Sequence, residues 1–249
     1  MYKVFPALAL AGLVTGPALA TAEDSPFSGN ISLTSNYLFR GVSQTQDGPA
    51  IQGGFDYAHP SGAYIGTWAS NVAWVKETGL KNNSSMEIDL YGGYRGEAGP
   101  ISYDLGLIHY HYPGSKVPGA TTPNTTEVYA SLGWRFLSLK YSHVVSDYFV
   151  GWTTSTGGKT RGSYYVDLSG SYDLGSGWGV FAHVGYQDVK SNDLASYTDW
   201  NVGVSKDVGL GTIKLMYSDT DADTATYTWG GTPKKVANGA FVLTFSKSF

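Results

Sequence analysis

The sequence feature that most constrains the fold is an alternation of apolar and polar residues that recurs along nearly the whole chain, whereas helical periodicity is almost absent. Alternation with a period of two is typical of β-strands that present one apolar and one polar face. We predict twelve strands, bounded by residues that favour turns. Their spans are 28–40, 50–58, 63–72, 85–96, 101–112, 125–135, 138–148, 162–173, 178–190, 197–207, 211–222 and 238–249.

The connections between the predicted strands alternate between short and long from one end of the chain to the other. The turns at 59–62, 97–100 and 136–137 are short, whereas the connections at 73–84 and 223–237 are long. This rhythm is typical of barrels of the bacterial outer membrane, which have short periplasmic turns and longer extracellular loops. The sequence therefore predicts an all-β fold, a closed up-and-down antiparallel transmembrane β-barrel of about 12 strands.

A soluble β-sandwich would show the same alternation, with the apolar face buried in a core. Three further features favour the barrel, whose apolar face contacts lipid. Aromatic residues concentrate at the strand ends, where membrane barrels carry aromatic girdles. The last strand ends on Phe249 in a pattern that resembles the outer-membrane assembly signal, and the chain begins with an export signal. A secreted soluble β-protein is the alternative.

Residues 1–22 have the features of a cleaved secretory signal peptide. Lys3 gives the positively charged start, residues 4–14 give the apolar stretch, and 18–20 or 20–22 give a small-x-small cleavage site. The apolar stretch is too short to cross a bilayer as a helix. We therefore predict an exported protein of the Gram-negative outer membrane, whose barrel domain comprises residues 23–249.

Composition excludes several classes of site. The chain has no cysteine, which rules out disulfides and thiolate-based zinc or iron–sulfur sites. Only 14% of its residues are charged, whereas an average soluble domain has about 25%. Its net charge is -4 and it has no basic cluster, so we expect no nucleic-acid partner. It carries no nucleotide-binding or zinc-protease motif, and we expect neither a cofactor nor a metal.

The expected partners follow from the barrel. They are outer-membrane lipid and lipopolysaccharide, the outer-membrane assembly machinery acting on the C-terminal strand that ends at Phe249, and small hydrophilic solutes.

The polar parity of the predicted strands supplies the candidate pore lining. With Arg40, which falls on this parity beside a long loop, the set contains three more acids than bases. Either the charges pair across the lumen and stabilise the barrel, or the unpaired acids favour cations. The candidate pore-lining residues are Arg40, Asp56, Glu87, Asp89, Arg95, Asp104, Glu127, Arg135, Lys140, Asp167, Asp173, Asp199 and Lys214.

Arg40 is singled out because it closes the first predicted strand and precedes Gly41. Its guanidinium would then project into the pore mouth and bind a carboxylate or phosphate through two contacts. The alternative is a salt bridge to a neighbouring strand. The third predicted strand is ambiguous, with Tyr64 and Trp68 on one parity and Ile65 on the other.

Two histidine motifs were weighed for chemistry. His109 and His111 share one face of a strand, a spacing that suits metal chelation, but their parity is the apolar one, which favours packing at the membrane interface. Ser142 and His143 are neighbours, so they point to opposite faces and do not form a nucleophile–base pair. We predict that the protein is not an enzyme and has no catalytic residues.

Several segments resemble a known family. The stretch SNYLFRGVSQT at 35–45, with PAIQGG at 49–54 and GTWASNV at 66–72, resembles the opening of the TorF porin family. EIDLYGGY at 87–94 and YHYP at 110–113 are similar too. The resemblance covers essentially the whole mature chain and implies a proteobacterial outer-membrane barrel with a pore function. It implies no particular substrate and brings no functional residues to transfer.

The leading hypothesis is a channel for passive diffusion of small hydrophilic solutes, with weak cation selectivity. Barrels of about eight strands are filled by their side chains, and those of about sixteen to eighteen leave a channel, so twelve strands lie between these limits. One alternative is a plugged barrel that serves adhesion or surface structure without steady conductance. A further alternative is an outer-membrane lipid-modifying enzyme.

Overall fold

A computed structural model describes residues 25–231 and 233–249, so the predicted signal peptide lies outside the described residues and stays a prediction. A short helix α1 (Trp74–Glu77) and a 3₁₀ turn (Asp193–Ala195) lie between strands. In chain order the strands are β1 (Phe27–Thr34), β2 (Leu38–Phe39), β3 (Val42–Ser43), β4 (Ala50–Ala58), β5 (Ala63–Asn71), β6 (Met86–Ala98), β7 (Ile101–His111), β8 (Thr125–Trp134), β9 (Leu137–Val144), β10 (Tyr164–Gly175), β11 (Trp178–Asp188), β12 (Tyr197–Asp207), β13 (Thr212–Thr220), β14 (Thr228–Trp229), β15 (Lys234–Lys235) and β16 (Ala240–Ser248).

Twelve of these strands form one closed antiparallel barrel, which confirms the predicted fold. Each barrel strand pairs with its neighbours in chain order, and β1 closes the ring by pairing with both β4 and β16, where Ile31 lies opposite Gly53 and Lys247. The pairs β2–β3 and β14–β15 are separate two-stranded hairpins. Short turns join the strands at one end, called here the short-turn end, and longer loops at the other, the long-loop end.

The two faces of the barrel wall have the predicted polarity. Leu105, Leu132 and Leu215 are about half exposed on the outer face, whereas acids and amides of the opposite parity are buried inside. The ambiguous strand is settled by β5, whose Ile65 is 63% exposed while Trp68 is 3% exposed. An apolar surface that encircles the molecule exceeds what soluble monomers expose and suits bilayer hydrocarbon. The part of the chain that the structure describes contains no helix with the length and hydropathy of a membrane span.

The first predicted strand, 28–40, is too long at its C-terminal end. β1 stops at Thr34, and residues 35–49, called here the inward segment, fold back into the barrel. At the tip of the β2–β3 hairpin Arg40 and Gly41 have φ angles of 50° and 79°, the left-handed conformation that two-residue hairpin turns favour. Tyr37 shares the parity of Ile31 and Leu33, which lie on the outer face, yet it is only 2% exposed. The alternation therefore continues past the end of the barrel strand.

Aromatic rings of the inner wall lie over glycines of the neighbouring strand. Tyr91 on β6 is paired with Gly66 on β5, and Tyr129 on β8 is paired with Gly106 on β7. A methyl group added to either glycine would come within 2.5 Å of the tyrosine ring. The glycines thus let these rings lie flat along the wall, which leaves more of the interior for the inward segment and solvent.

Candidate functional site

The inward segment occupies part of the interior at the long-loop end. The ring of Tyr37 meets Trp68 of β5 edge-on, with centroids 5.5 Å apart, and Phe39 meets Tyr110 of β7 at 5.6 Å. Above them, Trp74 of α1 lies 6.4 Å from Trp229 of the β14–β15 hairpin. The inward segment is therefore held between the barrel wall and two small elements of the outer loops.

Arg40 anchors the tip of the inward segment to the wall. Its Nη2 donates to both carboxylate oxygens of Glu127 on β8, at 3.0 and 2.7 Å, and its Nη1 donates to Oε1 of Gln187 on β11 at 2.5 Å. The guanidinium also lies 4.3 Å from the ring centre of Tyr165 on β10. The Arg40 and Glu127 side chains are 5% and 1% exposed, so the ion pair is desolvated.

This placement corrects the prediction that Arg40 closes the first barrel strand. Arg40 lies at a hairpin turn, and the carboxylate that engages its guanidinium is Glu127 of this chain. The position arises because the left-handed residues at 40 and 41 turn the chain back inside the barrel. A two-point carboxylate contact of the kind predicted for a solute is thus made within the protein.

Glu87 and Asp89 lie side by side on the inner face of β6. Each is 1% exposed. The Tyr37 hydroxyl donates to Oε1 of Glu87 at 2.8 Å. Among the described residues, Oδ1 of Asp89 and Nε1 of Trp68 have no hydrogen-bond partner, and no Lys, Arg or His lies within 4.0 Å of either carboxylate.

A third cluster is centred on His183, which the sequence analysis did not select. Its Nδ1 lies 2.6 Å from Oδ2 of Asp167 and its Nε2 lies 3.3 Å from Oδ1 of Asp199. The Tyr165 hydroxyl donates to Oδ2 of Asp199 at 2.7 Å. Ser169 donates to Asp167 and not to the imidazole, so the cluster lacks a nucleophile–base contact. The available signal was the inward parity of His183, between the outward Ala182 and Val184.

The candidate residues nearer the short-turn end are in part open to solvent. Arg95 and Asp104 lie opposite each other in the β6–β7 register and are partly exposed, as is Lys214 on β13. Asp104 accepts a hydrogen bond from the Tyr64 hydroxyl at 2.6 Å. Arg95 lies 5.2 Å from the ring centre of Tyr64.

The two remaining wall candidates lie against aromatic rings. Asp56 on β4 is buried and accepts a hydrogen bond from the Tyr91 hydroxyl at 2.6 Å. Lys140 on β9 lies 4.3 Å from the ring centre of Tyr129. All of these side chains occupy the inner face of the wall.

Arg135 and Asp173 differ from the expectation, because both lie at the short-turn rim. Arg135 is an exposed turn residue with a φ of 56°, and its guanidinium lies 4.7 Å from the Trp134 ring. Asp173 is exposed and its Oδ1 accepts a hydrogen bond from the Gly175 amide at 2.8 Å. Arg135 follows the last residue of β8, and Asp173 lies within β10 next to the point where the register shifts. Leaving out one acid and one base keeps the predicted acidic surplus unchanged.

The histidine pair of β7 is occupied by neighbouring side chains. The rings of His109 and His111 are stacked with centroids 6.2 Å apart. His109 Nδ1 lies 2.8 Å from the Thr126 hydroxyl, and His111 Nδ1 lies 3.0 Å from the Asn124 amide. Within residues 25–231 and 233–249, no group of three or more His, Asp or Glu side chains is placed to hold a metal ion.

Comparison with known proteins places the fold and the family. The barrel is similar to the KdgM porin, with a TM-score of 0.53 and 10% identity, covering 89% of this chain and 98% of the porin. A KdgM porin in complex with disordered oligogalacturonate gives 0.53 at 9% identity over 90% and 98% of the two chains. The NanC porin gives 0.52 at 9% identity over 88% and 97%. At such low identity the similarity shows the fold alone.

The sequence itself defines the family more narrowly than the fold does. No curated protein sequence matches the chain. The TorF name suggested by the sequence motifs is not confirmed and stays a prediction. Residues 20–249 match the profile of the Gcw_chp family, described as bacterial proteins of unknown function. Since this match spans almost the entire chain, the protein belongs to the Gcw_chp family.

Proposed function

We propose that this protein is a porin-like channel of the Gram-negative outer membrane that lets small hydrophilic solutes diffuse passively, with a weak preference for cations. The observation that carries the proposal is a closed barrel with an apolar exterior and a charged interior, whose short-turn half is partly open to solvent. Such a wall separates lipid from a polar path. The inward segment narrows this path at the long-loop end.

The cation preference rests on the distribution of interior charge. Glu87 and Asp89 are buried without a basic partner among the described residues, whereas Arg40 is neutralised by Glu127. Rings of fixed acidic charge attract cations and repel anions in narrow pores. For the same reason an acidic oligosaccharide, the ligand in the KdgM complex, is not the solute class that we propose here.

Planar-bilayer recording tests the proposal. We expect stepwise, steady conductance from the purified full chain, and a reversal potential in a potassium chloride gradient that favours potassium. A solute-exclusion series with neutral polymers then gives the effective radius. Clear anion preference would refute the selectivity, and the absence of any steady current would refute the open channel.

A plugged barrel that serves a surface role is the second candidate, and one observation favours it. The inward segment is fastened by the Arg40–Glu127 ion pair and packed beneath Val75 of α1, which has no exposed surface. In that case the wild-type protein shows no steady current, and current appears only when the inward segment is loosened. The same recordings therefore separate the two candidates.

The remaining proposals concern partners and chemistry. We propose that the outer face contacts lipid and lipopolysaccharide, and that the C-terminal strand engages the outer-membrane assembly machinery. We propose no catalytic activity, because Ser169 does not contact His183 and Ser142 lies on the opposite face from His143. Release of fatty acid from a labelled phospholipid in detergent would reveal the lipid-modifying alternative.

A further inference from the structure

We propose that Glu87 and Asp89 form a binding site for the primary ammonium group of a small cationic solute inside the barrel. This inference deepens the proposed function by naming a substrate class, and it relies on that function for the path by which the solute enters. It rests on two buried carboxyl groups that have no basic partner among the described residues, on the orphaned Oδ1 of Asp89 and on the aromatic residues that flank it.

Glu87 and Asp89 have no basic partner among the described residues. Buried carboxylates in proteins are paired with bases or coordinate ions, because an isolated buried charge is costly. Glu127, Asp167 and Asp199 follow this rule through Arg40 and His183. Across the described ranges, neither Glu87 nor Asp89 has a Lys, Arg or His within ion-pair distance. The pair therefore lacks a cation that its neighbours have.

The second argument is a hydrogen-bond acceptor without a donor. Asp89 is 99% buried, and its Oδ1 finds no donor in the structure as described. Leaving such a buried oxygen unsatisfied is destabilising, because its hydrogen bond to water is lost and not replaced. The same face carries Oε1 and Oε2 of Glu87, of which Oε1 already accepts from Tyr37. A donor group placed between the two carboxylates would satisfy Asp89 and share its charge with Glu87.

The third argument is the aromatic wall on both sides of Asp89. In the barrel register Asp89 lies opposite Trp68 on β5 and opposite Tyr110 on β7. Side chains at paired positions of one sheet face lie within contact distance of each other. The faces of Trp and Tyr rings attract ammonium groups and other organic cations. Asp89 is thus an anionic group set between two aromatic residues.

These features select a primary ammonium group among cations. An –NH₃⁺ group is a compact charge with three N–H donors. It can donate to the small number of carboxylate oxygens present here while it contacts the faces of the aromatic rings. Calcium and magnesium ions need six or more oxygen ligands, and no group of three or more His, Asp or Glu side chains in the described residues is placed to hold a metal ion. A quaternary ammonium group has no N–H to give to Oδ1 of Asp89. The solute class is therefore an aliphatic amine with a free –NH₃⁺ end.

The inward segment controls access to this site. The Tyr37 hydroxyl already occupies one oxygen of Glu87, and its ring packs on Trp68. An entering amine has to displace Tyr37 from the long-loop side or rise from the partly open short-turn half.

Calorimetric titration of the full chain in detergent micelles tests the site directly. The probes are n-butylammonium chloride and tetramethylammonium chloride at equal ionic strength. We expect n-butylammonium to bind more tightly than tetramethylammonium, and Asp89→Asn to weaken n-butylammonium binding on the order of tenfold, the loss expected for one hydrogen bond to a charged group. Asp173→Asn is the matched control, since it removes the same charge at the exposed rim and should leave binding unchanged.

The outcomes separate this inference from the proposed function. Equal binding by wild type and Asp89→Asn, or equal binding of the two probes, would overturn the ammonium site. Since Asp89→Asn is nearly isosteric and removes a buried charge, the barrel is expected to fold; should it not, Glu87→Gln provides the second variant and the same comparison. Steady conductance without ammonium binding refutes only the site, whereas binding without conductance refutes only the channel.

Discussion

The long-loop half and the short-turn half of the interior carry similar residue types that differ in their exposure to solvent. Glu87, Asp89 and Glu127, near the long-loop end, are buried, whereas Arg95 and Asp104, near the short-turn end, are partly exposed. Both sets project from one continuous wall of twelve strands. This difference in solvent exposure comes from the inward segment, which lies in the long-loop half and not in the short-turn half. Solvent access inside this barrel is thus set by a loop rather than by the strands.

Replacing residues 38–43 with a Gly-Ser sequence of equal length is expected to give the largest effect. The hairpin that holds Arg40 would lose its contacts with Glu127 and Gln187, and the long-loop half would fill with water. We expect a several-fold rise in single-channel conductance. The same replacement at 154–159, in an exposed outer loop, is the control. Equal conductance in both variants would show that the inward segment does not limit the path.

Arg40→Met tests how strongly the Arg40–Glu127 ion pair holds the inward segment in the long-loop half. It leaves Glu127 buried without its partner, which costs about 3–5 kcal/mol in comparable cases. We expect a matching fall in the free energy of unfolding, measured by urea titration in micelles with tryptophan fluorescence. The double variant Arg40→Met with Glu127→Gln removes the orphaned charge and should regain most of the loss. Equal stability of the single and double variants would contradict this account.

Gly106→Val tests the wall on which both halves depend. A Cβ at this position would lie 2.5 Å from the Tyr129 ring and 2.8 Å from the Gly92 carbonyl oxygen, so the ring or the neighbouring strand must shift. Overpacking of this kind costs about 1–3 kcal/mol, and we expect lower conductance with it. Gly170→Ala is the control, because the nearest atom to its added methyl group would be Leu137 Cδ2 at 3.4 Å. Restoration in a Tyr129→Ala background would assign the loss to that ring.

Lys214→Gln probes the short-turn half, where solvent already reaches the side chain. Stability should change by less than about 0.5 kcal/mol, as for surface substitutions. Removal of one interior positive charge should move the reversal potential toward stronger cation preference. A shift of the reversal potential toward anion preference would show that the interior charge of the short-turn half does not set the selectivity.

The smallest effect is expected at Asp147, at the outer edge of the long-loop end. Hydrogen bonds from Lys159 and Arg161, each 2.7 Å long, lower the pKa of this exposed carboxyl below its ordinary value. A lowered pKa in the folded protein means that the contribution to stability is present above the ordinary aspartate value and is lost as pH falls through the lowered one. Asp147→Asn should therefore remove a slight acid sensitivity of the unfolding midpoint, measured between about pH 7 and about pH 3. A loss of stability on the alkaline side would contradict this sign.

The twelve barrel strands, and the faces of all but the third, were predictable because alternation is a local property of each strand. The position of Arg40 was not, since its partners Glu127 and Gln187 lie 87 and 147 residues away along the chain. The alternation of Tyr37 and Phe39 continues beyond Thr34, so the sequence alone does not mark where the wall ends and the inward segment begins. This ambiguity extended the first predicted strand by six residues.

One residue that the prediction missed, His183, and one that it misplaced, Arg135, have equally specific causes. His183 is isolated in the sequence, and its carboxylate partners come from the strands on either side, β10 and β12. Arg135 was assigned to a strand one residue beyond its end, and that single residue moved it from the predicted wall to the rim.

The paired glycines and rings of the inner wall have a consequence for how such a barrel can vary. A tyrosine ring that lies flat over Gly66 or Gly106 stays against the barrel wall. The same ring turned away from the wall would project into the lumen and narrow it. The bore is then adjustable by single exchanges at glycine positions such as Gly106, with strand number and every charged residue left as they are. Related chains can in this way differ in the size of solute they admit while keeping the same electrostatic preference.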